Sequence, residues 1–179
     1  MPGIDQARAF RPLNIAVLTV SDSRSLAEDR SGDLLVERLT AAGHRLADRA
    51  LVVDDAARIA DQLQAWIADP AVDVVISTGG TGVTGRDVTP EALERVAEKL
   101  IPGFGELFRL ISFNKIGTSA LQSRATAGVA GGTYLFALPG SPGACRDGWD
   151  DILSSQLDIR HRPCNFAELL PRLREHETG

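Results

Sequence analysis

Apolar residues along this chain fall into two kinds of run, and their alternation predicts the fold class. Residues 14–20 (Asn-Ile-Ala-Val-Leu-Thr-Val) are almost continuously apolar, the pattern of a strand covered by helices on both faces. Residues 33–39 then space their apolar side chains at the helical period, with Gly43 placed to cap the end. Residues 46–53 read as a second strand, and Ile59, Leu63, Trp66 and Ile67 mark an amphipathic helix after it. Residues 73–77 form a third strand. A helix follows over 90–100, and a short one after Pro102-Gly103 carries Glu106 and Arg109 beside Leu107, Phe108, Leu110 and Ile111. Residues 125–130 and 133–138 flank Gly131-Gly132, which supplies the positive φ angles of a two-residue hairpin turn. The last long helix continues over 150–157, residues 160–166 look irregular, and 169–174 could add a short terminal helix. These elements predict an α/β fold whose mixed sheet is mostly parallel with one antiparallel strand.

The third strand opens into Thr78-Gly79-Gly80-Thr81-Gly82-Val83-Thr84-Gly85-Arg86-Asp87-Val88-Thr89-Pro90-Glu91. Four glycines there leave backbone N–H groups with no Cβ in front of them, so an anion can approach the main chain. Thr89 is placed to cap the next helix, with Pro90 at its first position and Glu91 in its first turn. Gly80, Gly82 and Gly85 fit the G-x-G-x-x-G spacing, but a dinucleotide loop starts its helix within the glycines and has an acid closing a second strand about 20 residues on. Neither feature follows here. A Walker loop needs Gly-Lys-Ser/Thr, and the chain's lysines are Lys99 and Lys115. The loop must therefore use its N–H groups, Arg86, or a metal held by Asp87.

Other strand ends carry polar residues too. Ser21-Asp22-Ser23-Arg24 either lines the same crevice, beyond the carboxyl ends of the strands, or is an ordinary turn. Asp54 and Asp55 precede a helix, where one acid suffices as a cap and leaves the other free. Residues 117–124 read as a loop rich in hydrogen-bonding groups. Pro139-Gly140-Ser141-Pro142-Gly143 is a second strand-to-helix entry with small residues where a ligand could approach.

Composition narrows the partner. A chain of 179 residues with net charge −5 and no basic stripe is not a nucleic-acid binder, and a small molecule is the expected partner. No apolar run approaches the roughly 18 residues of a membrane span, so a cytoplasmic protein is expected, with one domain over 1–179 and a flexible segment over 1–12. Cys145 and Cys164 have no metal-ligand spacing and read as reduced thiols, and His44, His161 and His176 as surface or loop residues.

Over nearly its whole length the chain resembles the molybdenum cofactor biosynthesis family that contains MogA, MoaB and the gephyrin G domain. The resemblance is carried by Thr78-Gly79-Gly80-Thr81-Gly82, Arg86-Asp87-Val88-Thr89-Pro90-Glu91-Ala92, the Pro-Gly-Phe-Gly-Glu at 102–106, and Leu138-Pro139-Gly140-Ser141-Pro142. Residues 117–124 and Arg162-Pro163-Cys164-Asn165-Phe166 are most similar to the MoaB branch. The resemblance implies a three-layer α/β sandwich assembled as trimers or hexamers. It also implies Mg²⁺- and ATP-dependent adenylylation of molybdopterin, giving adenylylated molybdopterin and pyrophosphate.

Carried over residue by residue, Asp54 and Asp87 are the catalytic, metal-binding acids. Thr78, Gly79, Gly80, Thr81, Gly82, Pro139, Gly140, Ser141 and Pro142 hold the nucleotide phosphates, and Ser21, Asp22, Glu106, Ser123 and Arg124 meet the substrate. Such chemistry needs positioning and charge neutralisation rather than a protein nucleophile, consistent with the lack of a Ser/His/Asp or Cys/His pairing. The alternative is a pterin-binding protein of the same pathway without catalysis. Acids at both positions favour the enzyme.

Overall fold

The structure is a computed structural model that describes residues 1–177. In chain order its elements are β1 (Gly3–Ile4), β2 (Asn14–Val20), α1 (Arg30–Ala41), β3 (Arg45–Val52), α2 (Ala56–Ile67), β4 (Val74–Thr78), α3 (Thr89–Val96) and β5 (Lys99–Leu100). They continue with α4 (Pro102–Ile116), β6 (Thr126–Ala130), β7 (Thr133–Leu138), α5 (Pro142–Gly148), α6 (Ser154–Gln156), β8 (His161–Arg162) and α7 (Phe166–Leu169). A π turn over Trp149–Leu153 joins α5 to α6.

The main sheet has six strands in the order β3-β2-β4-β7-β6-β5, the first four parallel and the last two antiparallel to their neighbours. Strand alternation divides its side chains between two cores. Ile15, Val17, Val74, Ile76, Tyr134 and Phe136 face α1, α4 and α5 on one side, while Ala16, Leu18, Val75, Leu135 and Ala137 face α2 and α3 on the other. The result is the three-layer α/β sandwich with a mostly parallel mixed sheet that the residues and their resemblance predict. The chain leaves β2 for β3 on one side and returns past it to β4 on the other, so the direction of winding reverses between β2 and β4. A crevice opens at such a point.

Register aligns the strand ends with that crevice. Val20 pairs with Val52, Thr19 with Thr78, and Thr78 with Leu138, so β3, β2, β4 and β7 stop almost level. Caps then fix the helices that follow. Asp55 accepts from the Arg58 N–H at 2.9 Å, and Ser141 from the Ala144 N–H at 3.2 Å, each such cap stabilising its helix by about 1 kcal/mol. Asp29, fully buried, accepts from Thr19 Oγ1 at 2.5 Å, the Gly32 N–H at 2.9 Å and Arg49 Nη2 at 2.9 Å. Burial alone would raise its pKa, but these donors and the Arg49 charge hold it below the ordinary range.

Several local expectations are corrected. The helix predicted over 90–100 ends at Val96, and Lys99–Leu100 pair with Val129 and Gly128 as an edge strand. Thr89 is not the cap: Val88 occupies that position without a side-chain bond, and Thr89 Oγ1 donates to the Gly79 carbonyl at 2.8 Å. The helix after Pro102 is not short but runs for 15 residues. Residues 117–122 coil into a 3-10 turn rather than an open loop. The hairpin is as predicted, with φ of 55° and 85° at Gly131 and Gly132.

In the first twelve residues, β1 pairs with β8, Arg8 Nη2 meets Glu168 Oε1 at 3.0 Å, and the Phe10 ring packs 5.2 Å from that of His44. Both cysteines are free thiols, Cys145 buried and Cys164 exposed.

His44, expected at the surface, is buried. It packs between Phe10 and Trp149, and its Nδ1 accepts the Leu13 N–H at 3.1 Å. Burial lowers its pKa below 6.5, opposed by the charge of Asp158. The unfolded chain therefore takes up this proton at a higher pH than the folded chain does. Stability is intact above the unfolded value and is lost as pH falls from there toward the folded one. His44→Asn keeps an acceptor but cannot titrate. Urea denaturation at pH 7.5 and at pH 5.5 should show a smaller acid-induced loss for the variant than for the wild type.

Candidate functional site

Four loops leave the level strand ends side by side and enclose a cleft of about 690 Å³. Residues after β2 contribute Ser21, Asp22, Ser23 and Arg24; the residue after Val53 is Asp54; β4 gives Gly79, Gly80, Thr81, Gly82 and Asp87; and β7 gives Pro139, Gly140 and Ser141. Ser123 joins them from the turn before β6.

The glycines are required by what surrounds them. Gly79 has φ of +101°, and a Cβ there would lie 2.1 Å from the Val20 carbonyl oxygen. A Cβ on Gly80 would lie 2.4 Å from Thr89 Oγ1 and 3.0 Å from Asp54 Oδ1, and one on Gly82 would lie 2.6 Å from Asp87 Oδ2. The loop's carbonyls are anchored in succession. Gly79 O accepts from Thr89 Oγ1 at 2.8 Å, Gly80 O from the Thr89 N–H at 3.0 Å, Thr81 O from the Arg124 N–H at 2.9 Å, and Gly82 O from Arg124 Nε at 2.7 Å. Within a trans peptide C=O and N–H point in opposite directions. Anchoring these oxygens turns the N–H groups of Gly80 and Thr81 away from the protein donors, the arrangement that receives an anion.

Three carboxylates stand at this end of the cleft in different states. Asp55 caps α2, which leaves Asp54 free of that duty, and the Asp54 carboxylate lines the cleft with the Asp22 N–H and the Arg86 charge as its compensating groups. Partial burial raises its pKa, and the like charges of Asp22 and Asp87 raise it further. Asp87 is the opposite case. Burial would raise it, but the Thr84 hydroxyl at 2.7 Å and N–H at 2.9 Å, the Gly82 N–H and the charge of Arg124 hold it below the ordinary range. Asp22 is held low by the Arg86 guanidinium and by the Asp54 N–H at 3.0 Å.

No three His, Cys, Asp or Glu side chains among the described residues are arranged to hold a metal by themselves. Hard carboxylate oxygens with an unrelieved repulsion suit a divalent cation of the Mg²⁺ kind, which needs only one or two protein carboxylates when phosphate oxygens complete its shell.

Four of the expected site residues lie off the cleft wall. Thr78 is fully buried beneath it, donating to the Pro139 carbonyl at 2.9 Å beside Cys145 Sγ. Arg124 braces the glycine loop from behind, bonding the Gly82 and Asp87 carbonyls and pairing with Glu91. Glu106 is exposed near the start of α4, outside the cleft lining. Pro142 faces a neighbouring depression with Arg24 and Arg30. Conversely, α4 and the 3-10 turn present Phe108, Ser112, Lys115 and Ser119 to the cleft, and α5 presents Asp147. Lys115 Nζ donates to Asp147 at 2.7 Å and to Asp151 at 2.8 Å. The steps of three and four residues from Phe108 to Ser119 are a helical stripe, a signal available in the sequence once the helix is extended past Ile111.

The family described as "Probable molybdopterin binding domain" matches residues 16–159, which include every residue of the cleft wall. Molybdenum cofactor biosynthesis protein B of Escherichia coli K12 is 51% identical over 157 residues, covering 88% of this chain and 92% of that protein. The chain belongs to the MoaB family. A crystal structure of a molybdenum cofactor biosynthesis protein B superposes with a TM-score of 0.85 at 38% identity, covering 94% of this chain and 99% of that one. The tungsten cofactor synthesizing protein MoaB from Pyrococcus furiosus gives 0.73 at 35% identity, covering 82% and 94%.

In this MoaB family member, Gly79→Ala meets a backbone oxygen that no rotamer change can move, at a φ that disfavours side chains. We expect a loss of about 1–3 kcal/mol in urea denaturation, whereas Gly143→Ala, where a Cβ meets nothing within 4 Å, should change little.

Proposed function

We propose that this chain is a molybdopterin adenylyltransferase that uses Mg²⁺ and ATP. The observation that carries the reading is the Asp54 carboxylate, crowded by the like charges of Asp22 and Asp87 and placed with Asp87 beside the anchored glycine loop, in a cleft of a family that makes molybdenum cofactor. The glycine loop and the Pro139-Gly140-Ser141 entry receive the triphosphate, and the N–H groups of Gly80 and Thr81 orient it. Asp54 and Asp87 hold the cation, which when bound neutralises phosphate charge and favours departure of pyrophosphate. The far end of the cleft, with Phe108, Ser112 and Lys115, takes the pterin.

A terminal phosphate oxygen of molybdopterin then attacks the α-phosphorus of ATP. The new P–O bond joins pterin phosphate to the adenylyl group, and the bond to the β-phosphate breaks, with its electron pair leaving on pyrophosphate. No protein atom is alkylated, acylated or phosphorylated on the way, so the side chains act by placement and charge.

Pyrophosphate release from ATP, measured with and without molybdopterin and Mg²⁺, tests this. Release should require both. Asp54→Asn and Asp87→Asn should each lower it by about a hundredfold or more while leaving the thermal transition of the fold in place. Wild-type rates in both variants would overturn the two-carboxylate assignment. Pterin binding without any pyrophosphate release would point to a carrier rather than an enzyme.

The same reading includes assembly into trimers or hexamers. Leu107, Leu110, Phe113 and Ile116 are exposed along α4 with Leu121 beside them, an apolar strip suited to a second copy of the chain. Light scattering should give a multimer for the wild type and a smaller species for a Leu110→Asp, Phe113→Asp variant.

A further inference from the structure

Arg86 has no task in the reaction described above, although it sits in the loop that receives the phosphates. The turn over residues 83–87 holds its shape without it: the Thr84 N–H and hydroxyl donate to Asp87 Oδ2, and the Asp87 N–H returns a bond to the Thr84 carbonyl at 3.1 Å. The Arg86 side chain reaches over the rim of the cleft to Asp22, with Nε 2.8 Å from Oδ2 and Nη2 2.9 Å from Oδ1. Asp22 also accepts the Asp54 N–H at 3.0 Å, so the guanidinium is held where its charge reaches the Asp54 carboxylate as well.

Three properties make this contact exchangeable. The two side chains are 67% and 42% exposed, and an ion pair so open to water contributes little to stability. Residue 85, immediately before it, is a glycine around which a Cβ would meet nothing within 4 Å, so the backbone under Arg86 is unobstructed. Finally, a guanidinium fork fits two phosphate oxygens as well as it fits a carboxylate, and a triphosphate offers more charge. A nucleotide entering among Asp22, Asp54 and Asp87 also needs a cation near Asp22, the acid that the Mg²⁺ assignment leaves over.

We propose that Arg86 is a phosphate-binding residue that exchanges partners, releasing Asp22 and transferring its two-pronged contact to the triphosphate of Mg²⁺-bound ATP. This rests on the nucleotide reading of the cleft. Asp22 is then the positioning residue: it stores Arg86 at the rim and, through the Asp54 N–H, ties that store to the metal-binding acid. The rival arrangement is a fixed pair in which Arg86 only shields Asp22.

Calorimetric binding of Mg²⁺ with α,β-methylene-ATP, which cannot release pyrophosphate, separates these without recourse to turnover. The proteins are the wild type, Arg86→Gln, Asp22→Asn and the double variant, each checked for an unchanged thermal transition. Exchange predicts that Arg86→Gln weakens binding about tenfold or more, that Asp22→Asn tightens it, and that Arg86→Gln costs a larger factor in the Asp22→Asn background, where no ion pair has to be broken first. If Arg86→Gln has no effect in that background, the pair is a shield and the exchange is overturned. If Arg86→Gln has no effect even in the wild-type background, Arg86 does not meet the nucleotide at all. A wild-type chain that fails to bind the analogue would overturn the nucleotide reading itself, and this proposal with it.

Discussion

The level termination of four neighbouring parallel strands is the constraint on which the rest of this molecule depends. Because Val52 pairs with Val20, and Thr78 pairs with both Thr19 and Leu138, the four loops begin within one residue of the same height and within reach of one another. A slip of one residue in any strand would reverse its side chains between the two cores. The cores therefore hold the register, and the register holds the cleft. Gly79 makes the link concrete, because its N–H donates to the Leu138 carbonyl while its missing Cβ leaves room for the Val20 carbonyl. Three strands meet at that one residue.

Electrostatics then divides the cleft. One end gathers Asp22, Asp54 and Asp87 around backbone N–H groups, with Arg86 at the rim. The other has Lys115 held between Asp147 and Asp151 beside apolar Phe108 and Ile116. An anion alone would be repelled from the first end. On the proposed reading an anion that arrives with a divalent cation would find ligands for both, and the raised pKa of Asp54 reflects its partial burial and the like charges of Asp22 and Asp87.

Much of this was legible in the sequence because it is local. The apolar runs, the Gly131-Gly132 turn, the division of labour between Asp54 and Asp55 and the density of glycine before Asp87 all follow from neighbours within a few residues. What was not legible depends on distant partners. His44 reads as a surface or loop residue because its partner, the Leu13 N–H, is 31 positions away. The resemblance sends Arg124 toward the substrate, whereas in the structure its guanidinium bonds the carbonyls of Gly82 and Asp87 and braces the loop. Lys99 and Leu100 continue a helical pattern, yet the open edge of β6 offers them ladder bonds. Glu106 was placed by likeness of motif, and its helix turns it away from the cleft.

Helix α4 serves two surfaces at once. Its inner residues Phe108, Ser112 and Lys115 line the cleft, and its outer residues Leu110 and Phe113 form the exposed apolar strip. The two sets are interleaved on one helix, each spaced by three or four residues. Every turn of α4 therefore answers to two surfaces, and a substitution chosen for one of them sits within a residue or two of the other.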